Sequence, residues 1–183
     1  MKHFKSIITL LIFTAFISIS CSNNDDDINQ ENLIGTWSLT SSIEEFNYEE
    51  NTQNNASDFT LISTGSNFNF ILTFYEDETL VKDGSYNINT TIITDTYQQS
   101  QVEVEEVNNQ MSEWFLDEST LTITGGFIKV GSFDILSNST GISELRIATL
   151  KEDKLVLTYE LDQLEFVDPQ DESNGSGELV FSR

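Results

Sequence analysis

From Leu33 to the C-terminus the chain alternates apolar and polar residues with a period of two. That period belongs to half-buried β-strands, whose successive side chains point to opposite faces. In residues 68–75, Phe68, Phe70, Leu72 and Phe74 share one face, while Asn69, Ile71, Thr73 and Tyr75 take the other. Leu155, Leu157, Tyr159 and Leu161 likewise oppose Val156, Thr158, Glu160 and Asp162. Shorter runs predict strands at 36–42, 79–89, 91–97, 101–107, 112–116, 120–124, 127–135, 145–150 and 178–182. Polar turns separate many of them, at Glu76-Asp77-Glu78, Asn108-Asn109, Asp117-Glu118, Gly125-Gly126 and Glu152-Asp153. Residues 44–57, dense in Glu and Asn, and residues 168–177, which hold Pro169, read as loops. No helical periodicity of useful length competes. Many short strands joined by tight turns imply an all-β antiparallel sandwich or barrel. Some 150 residues, 33–183, suffice for one core without disulfides.

The N-terminus is different in kind. Lys2 and Lys5 precede a run from Ser6 to Ile19 that is apolar except for Thr9, Thr14 and Ser18. It is shorter than the roughly 20 residues that span a bilayer as a helix, so a secretory signal peptide over 1–20 is expected. Ser20 then precedes Cys21, the one cysteine of the chain. The segment Ser18-Ile19-Ser20-Cys21 resembles the lipobox of bacterial lipoproteins, with Ser18 standing where leucine is usual. The resemblance implies that Cys21 is lipidated and holds the protein to a membrane. One acyl chain binds membranes only marginally, and a lipidated cysteine carries at least two. Residues 21–32 then form the lipidated cysteine and a polar, acidic tether without periodicity, expected to be disordered. Extended at roughly 3.3 Å per residue, its eleven residues after the cysteine reach about 35 Å. The acidic stretch after the cysteine is similar to the export signal that sends many lipoproteins of the Bacteroidota to the cell exterior.

Charge and composition narrow the function classes. Loss of the leader would remove Lys2 and Lys5, leaving six basic residues against 31 acidic ones, a balance of −25. That is the wrong sign for nucleic acid, whose phosphates need clustered Lys and Arg. It also disfavours an anionic membrane surface, so the lipid on Cys21 would have to hold the protein there. The one histidine, His3, lies in the leader, so the remainder has no Ser-His-Asp or Cys-His nucleophile system and no histidine-ligated zinc. A non-enzymatic protein without cofactors is the expectation. Residues 168–175 offer oxygen ligands but lack the spacing and distal glutamate of an EF-hand, so no metal residues are assigned.

Four short motifs, in order, resemble the lipocalin family in its bacterial lipoprotein form. Leu33-Ile34-Gly35-Thr36-Trp37-Ser38-Leu39 is similar to the opening Gly-x-Trp strand. Leu72-Thr73-Phe74 with Asp77, Gly84 and Tyr86 looks like the second hairpin. Glu113-Trp114-Phe115-Leu116 followed by Leu121-Thr122-Ile123-Thr124 looks like a central hairpin, with Glu113 where glycine is frequent. Leu179-Val180-Phe181-Ser182-Arg183 resembles the closing strand. The resemblance implies an antiparallel up-and-down barrel over 33–183. Eight strands make a barrel just wide enough to pack solid or to hold one small ligand. Phe68, Phe70, Phe74 and Trp114 are therefore candidates for core or for the wall of a ligand cup. In such a barrel the last strand runs beside the first. By alternation Arg183 shares a face with Leu179 and Phe181, as Trp37 does with Leu39, so Arg183 and Trp37 should meet at the closed end. The function expected is a lipid-anchored outer-membrane or cell-surface binding module for a small apolar ligand. The alternative is a solid-cored surface protein with a structural, adhesive or partner-complex role.

Overall fold

The computed structural model describes residues 28–49, 58–125, 142–161 and 172–183. A short helix, α1 (Gln30–Leu33), leads into eight strands: β1 (Gly35–Glu49), β2 (Phe59–Phe74), β3 (Thr79–Ile93), β4 (Gln98–Asp117), β5 (Thr120–Thr124), β6 (Ile142–Leu150), β7 (Lys154–Glu160) and β8 (Glu172–Ser182). Each pairs antiparallel with the next, and β8 returns to β1, so the sheet closes into a barrel. Closure removes the exposed edges that an open sheet of this kind would present. Cys21, the leader and the expected strand at 127–135 lie outside the described residues.

The strands are longer than their alternation suggests, because bulges interrupt the period without ending the strand. Against β8, β1 gains one residue between Leu39 and Ser41. Trp37 and Leu39 point inward before that bulge, and Ser42, Glu44 and Phe46 point inward after it. Residues 44–49, expected as loop, therefore continue β1. On β2 the extra residue lies between Ser66 and Asn69, with Asn67 in the left-handed region at φ 52°. Asn108-Asn109, expected as a turn, is instead a bulge inside β4, and Asn109 takes φ 44° while its N–H donates to Asp83 Oδ1 at 3.0 Å. One extra residue reverses which side chains face the core. Residues 79–89 and 91–97 likewise prove to be mostly the single strand β3, and β8 starts at Glu172 inside the expected 168–177 loop.

Residues just before Leu33 also join the packing. Asn29 caps α1 by accepting the Glu31 N–H on its side chain at 2.9 Å, Leu33 is buried, and Ile28 packs on the core. The hairpin turns β2–β3, β4–β5 and β6–β7 lie at the same end of the barrel as α1. The core fills that end: Trp37, Leu72, Phe74, Leu80, Trp114, Leu121, Leu155 and Phe181 are all buried.

Candidate functional site

Two constructions stand out inside the barrel. The first is its closure. The Arg183 guanidinium carbon lies 4.2 Å from the centroid of the Trp37 ring. Its Nη2 donates to the carbonyl oxygens of Asn32, at 2.8 Å, and Ile34. Trp37 Nε1–H in turn donates to the Leu33 carbonyl oxygen at 2.9 Å. The guanidinium lies beside Gly35, where the backbone φ of +122° favours glycine. One arginine thus joins α1, β1 and the end of the chain through a cation–π contact and backbone acceptors. This end is structural: the guanidinium and the Trp37 indole N–H find their acceptors within the protein, while Trp114 Nε1 and Ser112 Oγ are buried without a hydrogen-bond partner among the described residues.

The aromatic candidates share that packing role. Phe74 and Trp114 meet edge to face, with centroids 5.5 Å apart. Phe70 stands edge-on to Tyr86 at 5.5 Å, and Phe68 stacks beside Tyr86 at 6.3 Å. Phe70, Phe74 and Trp114 are fully buried, while Phe68 is half-buried beneath the β2 bulge.

The second construction is polar, and sequence alternation did not reveal it. Toward the other end the inward face carries Ser42, Glu44, Ser63, Thr90, Tyr86, Tyr159 and Ser143, with Lys82 between the two halves. Glu44 is fully buried. Its Oε2 accepts the Tyr159 hydroxyl proton at 3.1 Å, whereas Oε1 has no hydrogen-bond partner among the described residues. Strand β8 separates these two side chains, and Gly177 is what lets them meet. Gly177 is the register partner of both Glu44 and Tyr159, and a Cβ on it would collide with Tyr159 Cζ. The tyrosine ring therefore lies in the space a side chain would occupy, and its hydroxyl crosses to the next strand. Ser63 and Thr90 satisfy each other at 3.2 Å in the same row. Phe46 lies one inward position beyond Glu44, against Phe59 at 6.1 Å, and Phe59 stacks on Tyr48 at 5.1 Å. Glu44 thus has Phe46 on one side of it along the inward face of β1 and Ser42 on the other.

The electrostatics follow from burial. Loss of water pushes the Glu44 carboxyl up to about 7, only partly opposed by the Tyr159 hydrogen bond. The Lys82 amine is lowered to about 8 by burial, against the pull of Glu105. Tyr159 is raised by burial, then by the Glu44 charge, its hydrogen bond and Tyr86. Tyr86 is raised by burial, Glu105 and Glu44. Glu105 is the register partner of Tyr86, and Glu103 that of the buried Ile88, so both half-buried glutamates share the inward face of β4. The inward face of the far half thus carries Glu44, Glu103 and Glu105, with Lys82 as the nearby cation.

Compared with known protein families, curated proteins and solved structures, the chain matches none. No group of three or more His, Cys, Asp or Glu residues among the described residues is arranged to hold a metal ion. No helix among them is long and apolar enough to cross a membrane.

Proposed function

We propose that the protein is a lipid-anchored, lipocalin-like binding module of the outer membrane or cell surface, which holds a small, largely apolar ligand without transforming it. The leader and Cys21 supply the argument for the anchor. The closed eight-stranded barrel supports the resemblance in architecture, and eight strands are the size at which an interior holds either side chains or one small ligand.

The observation that carries the binding reading is the Glu44 carboxylate. A barrel interior needs only apolar side chains to be stable, and a buried polar atom without a partner costs about 1–3 kcal/mol, more when charged. Glu44 Oε1 is such an atom, positioned by a tyrosine for which a whole side chain has been left out of β8. Such a group is expected where a ligand completes it. Joined to its anchor through residue 28 at the closed end, the barrel would turn its far rim away from the membrane.

The solid-cored alternative draws on the filled closed half, where Trp37, Phe70, Phe74 and Trp114 leave the interior to the protein itself. Native mass spectrometry of protein purified from its own host separates the two. A co-purifying small molecule in near-stoichiometric amount is the expected result. Bare polypeptide plus lipid, after mild extraction, would favour the solid-cored surface protein.

A further inference from the structure

The charge distribution inside the barrel narrows the class of ligand, and this narrowing rests on the binding reading proposed above. We propose that the far half of the barrel takes an organic ammonium with an apolar body, whose N–H groups donate to Glu44 Oε1.

A carboxylate oxygen accepts hydrogen bonds and donates none, so whatever completes Oε1 must bring a donor. Of the neighbouring hydroxyls, Tyr159 donates to Oε2, and Ser63 and Thr90 share one hydrogen bond with each other. The balance of charge on the inward face also asks for a cation. Glu44, from β1, and Glu103 and Glu105, from β4, oppose Lys82 alone among the described charged residues facing inward there. Glu105 raises the Lys82 amine against its burial, whereas at Glu44 burial outweighs its hydrogen bond to Tyr159. A bare metal ion is a poor match, since Glu44 belongs to no cluster of three metal-ligating side chains among them. The surroundings fit an organic cation better. Tyr86, Tyr159 and Phe46 offer aromatic surface around the carboxylate, and aromatic faces attract ammonium groups as well as apolar ones. The excess of 31 acidic over 8 basic residues would draw cations to the protein at low ionic strength.

The test uses three probes of one length: octylamine, octanol and octanoate, titrated below their micelle concentrations into the intact protein and into Glu44→Gln at about pH 8. Glutamine keeps the shape and still accepts from Tyr159, and near-ultraviolet circular dichroism of the tryptophans confirms its fold. Octylamine should bind the parent more tightly than either other probe. In Glu44→Gln its affinity should fall by about tenfold or more, as expected for a lost charged hydrogen bond, with octanol unchanged. A second readout needs no variant. Octylamine binding to the parent should weaken as pH falls below about 7 and Glu44 takes up a proton. Of the other groups on that face, Tyr159 and Tyr86 remain protonated throughout that range, Lys82 takes up its proton around pH 8, above the step read here, and Glu103 and Glu105 lie across on β4. Octanol or octanoate bound as tightly as octylamine, or an amine affinity indifferent to both Glu44→Gln and pH, would overturn this inference and leave the binding reading standing. No binding of any probe would overturn both.

Discussion

Glu44 makes stability depend on pH in a direction opposite to that of an ordinary surface carboxylate. In the folded barrel its pKa is about 7, against 4.5 for the free side chain. Between those values the folded state keeps a proton that the unfolded state has released. Stability therefore falls as pH rises from about 4.5 to about 7, and levels off above. At about 1.4 kcal/mol per pH unit, that interval corresponds to about 3 kcal/mol. The perturbation that isolates it is Glu44→Gln, which cannot titrate. Urea unfolding of ligand-free parent and variant at pH 5 and pH 8 gives four free energies. Part of the Glu44 contribution is already lost at pH 5, so their double difference should show the parent losing about 2–3 kcal/mol more than the variant on going to pH 8. Lys82 does not confound the result. Its folded pKa of about 8 lies below its ordinary 10.5, so it recovers stability mainly above pH 8, and it is common to both proteins. If the two proteins lose stability in parallel, Glu44 is solvated or paired in solution, and the orphaned carboxylate is not a feature of the molecule.

Three further outcomes are expected. Trp37→Ala should lower stability by about 3–5 kcal/mol, since it empties a buried site under Arg183 and α1; a urea midpoint that barely moves would place the ring at the surface. Gly177→Ala should cost about 1–3 kcal/mol in the parent but much less beside Tyr159→Leu, because the new Cβ collides with the tyrosine ring; additive losses in the double-mutant cycle would contradict that contact. Cys21→Ser should abolish partition into detergent and sedimentation with membranes; unchanged partition would remove the lipoprotein reading.

The closed half of the barrel was legible where its alternation runs unbroken, as it does on β2 and β8 but not on β6, which gains a residue between Ile147 and Thr149. Phe70, Leu72 and Phe74 on β2, and Leu179 and Phe181 on β8, face inward as their spacing says. The far half was not, and the reason is one residue. Counted from Trp37 without interruption, the inward set of β1 would be Leu39, Ser41 and Ile43, which puts an isoleucine inside and Glu44 outside. The bulge between Leu39 and Ser41 reverses this, leaving Ile43 about half exposed at 52% and Glu44 at 0%. On β4 the bulge at Asn108-Asn109 does the same, turning Val102 and Val104 outward and Glu103 and Glu105 inward. A period carries no mark of where it slips. Two signals did exist. Lys82 shares an unbroken alternation with Leu80, Tyr86 and Ile88, so its burial could have been read directly. Gly175 and Gly177 sit two apart on one face of β8, a sign that something large passes over that strand.

The pairing of β1 with β8 sets the order in which the molecule can assemble. Eleven residue pairs join these strands, and they connect Ser38 with Ser182 at one end and Glu49 with Glu172 at the other. The hairpins between neighbouring strands close over short stretches of chain, but this seam joins the first strand to the eighth and must wait for β8. Contacts so distant in sequence form slowly, because the chain gives up its loop entropy before they reward it. A nascent chain still lacking β8 holds seven strands with two raw edges and no Arg183 to seat over Trp37. The closed barrel is therefore available only once β8 has been made, and until then the polypeptide remains an open sheet.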